Sequence, residues 1–153
     1  MEQLHSVLDM FTNRILLCAI LSWFVAQALK VMISAVVDKH LDWRRLIGAG
    51  GMPSSHTSFV VSLTLMVGFT EGFNTAIFAT CFTLAAIVMY DATGVRRETG
   101  KQGQVINEIL RNVFIDGKPI SDDNLKELVG HKPIEVAAGA IIGIVVALCF
   151  ALL

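Results

Sequence analysis

The chain has 153 residues, 54% hydrophobic and 16% charged, with a net charge of -1. Its mean hydropathy of +0.66 excludes an ordinary soluble domain, and the charge balance offers no basic excess for nucleic acid. The length suits a single integral-membrane domain over residues 1–153.

Residues 1–13 carry Leu4, Val7, Leu8 and Phe11 at helical spacing, which predicts a short amphipathic helix on the membrane surface. A first spanning helix is expected over about 15–37. Its apolar run is too long for a secretory leader and is expected to remain in the chain. Gln27, Lys30, Ser34 and Asp38 follow one another at spacings of 3, 4 and 4, so they share a face. A polar stripe on a membrane helix is expected to face the bundle. Lys30 lies too deep to be read simply as a snorkelling lysine.

Residues 39–56 form a polar loop that leads into Gly50-Gly51-Met52-Pro53-Ser54-Ser55-His56-Thr57. Two glycines and a proline make an irregular turn, and two hydroxyls and an imidazole fall where the next helix opens. Free N–H groups and a partial positive charge at a helix start suit an anion. A second span is expected over about 54–72, a turn at Glu71-Gly72-Phe73-Asn74, and a third span over about 73–90, both spans near the lower length limit.

Residues 91–132 are the one long polar segment. It opens with Asp91-Ala92-Thr93-Gly94-Val95-Arg96-Arg97 and continues through Gly100 and Lys101. The two glycines bracket the arginine pair and predict an irregular backbone there. Val105, Ile106, Ile109, Leu110 and Val113 then mark one side of an amphipathic helix. A turn at 116–119 precedes a short helix capped by Ser121 and stopped by Gly130. The last span is expected over about 133–153, with Pro133 in its first turn. The expected fold is therefore all-α: a polytopic bundle of about four transmembrane helices with short amphipathic surface helices. Cys18, Cys81 and Cys149 lie in apolar runs without metal-like spacing and read as small hydrophobes.

With four spans, loops 39–56 and 91–132 fall on one side and hold ten of the twelve Lys and Arg residues. The positive-inside rule then predicts a multi-pass protein of the cell membrane, a bacterial inner membrane, with both loops cytoplasmic.

Glu135 sits in the first turn of the last span and needs a partner. His131, four residues earlier, can supply one, either on the helix or just outside it if Pro133 is the first helical residue. A carboxylate on one imidazole nitrogen fixes the tautomer and frees the other nitrogen. Gly139 and Gly143 continue the Glu135 face and allow close helix approach, within the chain or in a homodimer. Arg96 and Arg97 can clamp a phosphate, with Asp91 orienting one of them. Two histidines, an acid and several cations suit phosphoryl transfer: one histidine attacks phosphorus and the other protonates the leaving oxygen. The chemistry requires no metal or cofactor.

These elements resemble the type 2 phosphatidic acid phosphatase and vanadium haloperoxidase superfamily, and most closely its small divergent membrane branch. The superfamily's Pro-Ser-Gly-His element is matched by Pro53-Ser54-Ser55-His56, and its His-x-x-x-Asp element by His131-Lys132-Pro133-Ile134-Glu135. The branch's own Gly-Gly-Met-Pro-Ser-Ser-His and Asp-x-x-Gly-Val-Arg-Arg elements stand intact at 50–56 and 91–97. The resemblance implies that His131 is the nucleophile, Glu135 its orienting acid and His56 the general acid. It also implies a phosphate site of Lys30, Ser54, Ser55, Arg96, Arg97 and Lys101, supported by Asp91 and Gln27.

The departures are specific. Lys30 is followed seven residues later by Val37-Asp38 where the superfamily has Arg-Pro. Arg97 lies 34 residues before His131, Glu replaces Asp at 135, and four spans stand for the usual six. The implied activity is hydrolysis of a lipid phosphate or prenyl diphosphate through a phosphohistidine, in contact with membrane lipid. The alternatives are a non-catalytic binder or transporter of a lipid head group or phosphate, and a structural membrane subunit.

Overall fold

The computed structural model describes residues 9–38, 51–112, 114–115, 118–119 and 130–153. A 3-10 turn at Asp9–Thr12 leads into α1 (Arg14–Asp38), followed by α2 (Ser55–Glu71), α3 (Ala76–Thr93), α4 (Val95–Asn112) and α5 (Pro133–Ala151). A two-residue antiparallel pairing, β1 (Phe114–Ile115) with β2 (Lys118–Pro119), is the sole strand pairing among the described residues. Residues 1–8 of the expected surface helix at 1–13, residues 39–50 of the expected loop at 39–56 and the expected short helix at 121–129 lie outside the described residues.

Three helical stretches, Arg14–Val36, Ala76–Ile109 and Pro133–Ala151, are long and apolar enough to cross a membrane. The 17 residues of α2 rise about 25 Å, near the lower limit for a bilayer core. Although short, α2 is the centre of the bundle, packing against α1, α3 and α5. Its buried face is built from Ser55, Thr57, Ser58, Ser62, Thr64 and Gly68. Small side chains let the neighbouring backbones come close. A Cβ at Gly139 would collide with the Ser54 carbonyl, and one at Gly143 would lie 2.7 Å from the Ser58 carbonyl. The glycines therefore seat α5 on α2 within one chain.

Hydroxyls make the other close contact. Ser22 Oγ on α1 lies 2.6 Å from Ser58 Oγ, and each hydroxyl also donates to the other residue's carbonyl. At one end of the bundle an apolar plug of Cys18, Met66 and Ala147 closes the core. Arg14 stands over the Phe150 ring at that end. Cys18, Cys81 and Cys149 are free thiols, and Cys149 is exposed.

Two boundaries differ from the sequence reading. The third span starts later, at Ala76, because the Thr75 hydroxyl caps it by accepting the Phe78 N–H. Gly72 supplies the positive φ of 98° that ends α2. The expected irregular backbone between Gly94 and Gly100 is also absent. Gly94 caps α3, and α4 begins at once and runs straight through a buried Gly100. A glycine inside a helical pattern reads as a breaker, but a single one is tolerated at a modest cost in helix propensity.

Candidate active site

Three chain segments meet at the opposite end from the apolar plug, and backbone hydrogen bonds pin them together. The Ser54 N–H donates to the Glu135 carbonyl at 3.0 Å, joining the 51–56 turn to the start of α5. The His131 N–H donates to the Ala92 carbonyl at 2.9 Å, joining the α5 approach to the end of α3. Gly130, at φ 91°, packs against the backbone of Arg96 and Arg97, where a Cβ would collide.

α5 begins at Pro133 with Lys132 as its N-cap, so His131 sits just outside the helix. The Glu135 carboxylate turns back on that start. Its Oε2 accepts the Lys132 N–H at 3.1 Å and lies 3.2 Å from His131 Nδ1. Nδ1 has no other partner among the described residues, and its contact with Glu135 is an ion-pair approach rather than a straight hydrogen bond. Burial pushes the His131 imidazole below its ordinary value, Glu135 opposes that shift, and Lys30 adds to it.

Above this pair lies a cavity of about 380 Å³ whose polar wall is Lys30, His56, Arg96 and His131. These four side chains come from α1, α2, α4 and the segment before α5. Lys30 is only 3% exposed, deep for an ammonium, and Glu135 is the acid within electrostatic reach. Gly51, at φ 83°, passes over the Lys30 stem. Gln27 and Ser34 are buried on the same face of α1 as Lys30, as their spacing predicts. The Arg96 Nε is 2.5 Å from Asp91 Oδ2, which fixes the guanidinium at the cavity mouth.

The remaining expected site residues lie elsewhere. Ser54 and Ser55 are buried and do not line the cavity. The Ser54 hydroxyl is the N-cap of α2 and accepts from the Thr57 N–H and hydroxyl. Arg97 is exposed and does not line the cavity. Lys101 points away and pairs with Glu98 at 2.6 Å. Gln27 lies one turn from Lys30, outside the lining. The sequence reading missed the apolar wall of Ile20, Trp23, Phe59, Val60 and Val88. A signal was present, since Ile20 and Trp23 precede Lys30 by ten and seven residues on one helical face.

Apolar helices that enclose a cavity lined by two histidines and two cations make this a helical membrane protein with a charged pocket at one end of its bundle. The model of a family described as the divergent PAP2 family matches residues 11–146. The chain belongs to that family. It is also 38% identical over 154 residues to the uncharacterized membrane protein YuiD of Bacillus subtilis (strain 168), covering 94% of this chain and 98% of that relative. No solved structure matches the chain.

Proposed function

We propose that the chain is an integral-membrane phosphatase that hydrolyses a lipid phosphate or prenyl diphosphate through a phosphohistidine on His131. The observation that carries this reading is the shared cavity wall of Lys30, His56, Arg96 and His131, with Glu135 beside the His131 Nδ1. Nε2 attacks phosphorus while the phosphorus–oxygen bond to the lipid breaks and His56 protonates the departing oxygen. Water then attacks the phosphohistidine, gives its proton to His56, and releases phosphate with His131 restored. Lys30 and Arg96 offset the charge on the phosphoryl oxygens throughout. The asymmetry of Lys and Arg along the chain supports a cytoplasmic location for the site in a bacterial inner membrane.

The test is phosphate release from a panel of lipid phosphates by purified protein without added metal. Wild type should release phosphate, and His131→Ala and His56→Ala should not; wild-type turnover in both variants would refute the mechanism. A second reading, head-group binding without turnover, is favoured by the depth of Lys30 on the polar stripe of α1, which can hold an anion without taking part in proton transfer. It predicts phosphate-lipid binding that survives His131→Ala, with no release from any lipid.

A further inference from the structure

We propose that the cavity is a slot for the first part of one hydrocarbon chain, with Trp23 as the residue that measures it. The proposal rests on the phosphate-head reading above for what lies at the polar end. Each of the three long walls changes character in the same direction. On α1, Lys30 is followed towards the membrane interior by Trp23 and Ile20; on α2, His56 is followed by Phe59 and Val60; on α3, Ala92 is preceded by Val88. The cations sit at one end and the apolar side chains below them, so the occupant must be an amphiphile with an anionic head.

Two independent lengths agree. Seven residues separate Lys30 from Trp23, a rise of about 10 Å, which a zigzag hydrocarbon covers in about eight carbons. The cavity holds about 380 Å³; at roughly 30 Å³ per water-sized atom, that is about a dozen heavy atoms, of which a phosphate takes about five. Head and about eight carbons fill it, and a second chain has no room. Ile20, at the far end of the lining, is 37% exposed, which gives the rest of the chain a way out into the lipid. Trp23 is thus a specificity residue for the depth and number of chains, not a catalytic one.

The test uses the full chain with Trp43→Phe in phosphatidylcholine nanodiscs, leaving Trp23 as the only tryptophan. Dodecyl phosphate carrying bromine at chosen carbons is titrated in, and quenching of Trp23 is read. The expected result is saturable quenching, strongest with bromine near about the eighth carbon, displaced by plain dodecyl phosphate but not by dodecanol. Quenching that rises linearly with bromolipid, ignores dodecyl phosphate, or peaks beside the head group would overturn the slot. So would equal displacement by a two-chain phosphatidate.

Should Trp43→Phe fail to fold, turnover of alkyl phosphates of increasing length by the otherwise unaltered chain serves instead. The rate should climb to about eight carbons and level off, and Trp23→Ala should flatten that climb; identical length profiles in both proteins would overturn the slot. Binding with the expected quenching but no phosphate release would leave the slot standing and remove only the phosphatase reading. Phosphate release without position-dependent quenching would do the reverse.

Discussion

Glu135 Oε2 serves two neighbours at once: it accepts the Lys132 N–H at 3.1 Å and lies 3.2 Å from His131 Nδ1. The carboxylate that closes the first turn of α5 is thereby also the one beside the imidazole, and in the proposed mechanism it orients that ring. Glu135→Gln keeps an oxygen for the Lys132 N–H but loses the charge beside His131. Turnover should fall about 100-fold or more, with thermal stability nearly unchanged. A variant that unfolds, or that turns over normally, would contradict the division of labour.

The same pair sets a pH dependence. Burial lowers the His131 pKa and Glu135 partly restores it. Only the neutral imidazole can attack, so activity rises with pH through the His131 pKa, on the acid side of the ordinary histidine value. Removing the Glu135 charge removes the raising influence, so in Glu135→Gln the acid limb of the rate profile should move to lower pH while its plateau drops. An acid limb that moves to higher pH would contradict this assignment.

His56 as general acid makes a leaving-group prediction. His56→Ala should lose about 100-fold to 10,000-fold on an alkyl phosphate, whose leaving oxygen needs a proton. It should lose far less on a nitrophenyl phosphate, whose phenolate leaves unaided. Equal losses on both substrates would assign His56 to binding.

Asp91 holds Arg96 through its Nε. Arg96→Lys keeps the charge but loses the planar fork, and should raise KM about tenfold with a smaller change in kcat. Asp91→Asn should do the same more weakly, because Arg96 remains but is no longer fixed. Unchanged KM in both would place the anion elsewhere.

Packing predictions separate the two sides of α2. Gly139→Ala drives a Cβ into the Ser54 carbonyl and should destabilise the protein by about 1–3 kcal/mol, read by thermal unfolding in detergent. Ser22→Ala removes the hydroxyl–hydroxyl contact but leaves the Ser58 hydroxyl its bond to the residue 22 carbonyl, and should cost about 1 kcal/mol. Replacing both serines by alanine should cost less than the sum of the two single changes, because the shared hydroxyl–hydroxyl contact is lost only once.

Much of this was legible in the chain. The spacing of Gln27, Lys30 and Ser34 fixed which face of α1 turns inward, because a charge in a membrane helix leaves no alternative. The convergence of His56, Arg96 and His131 at one end followed from counting spans. Arg97, Ser54 and Ser55 were indistinguishable by residue type from true cavity residues. Helix phase turned Arg97 outward, and the need to cap α2 took the Ser54 hydroxyl. The apolar wall was marked by helix phase alone: Ile20 and Trp23 share the Lys30 face, but by residue type they resemble any lipid-facing pair in a membrane helix.

The most direct test of the central claim is chemical trapping of the intermediate. Purified protein is mixed with a lipid phosphate radiolabelled at phosphorus, denatured within a turnover, and the labelled residue is identified. The account predicts an acid-labile phosphohistidine at His131, absent in His131→Ala. Phosphate release by the wild type with no label on His131 would contradict it.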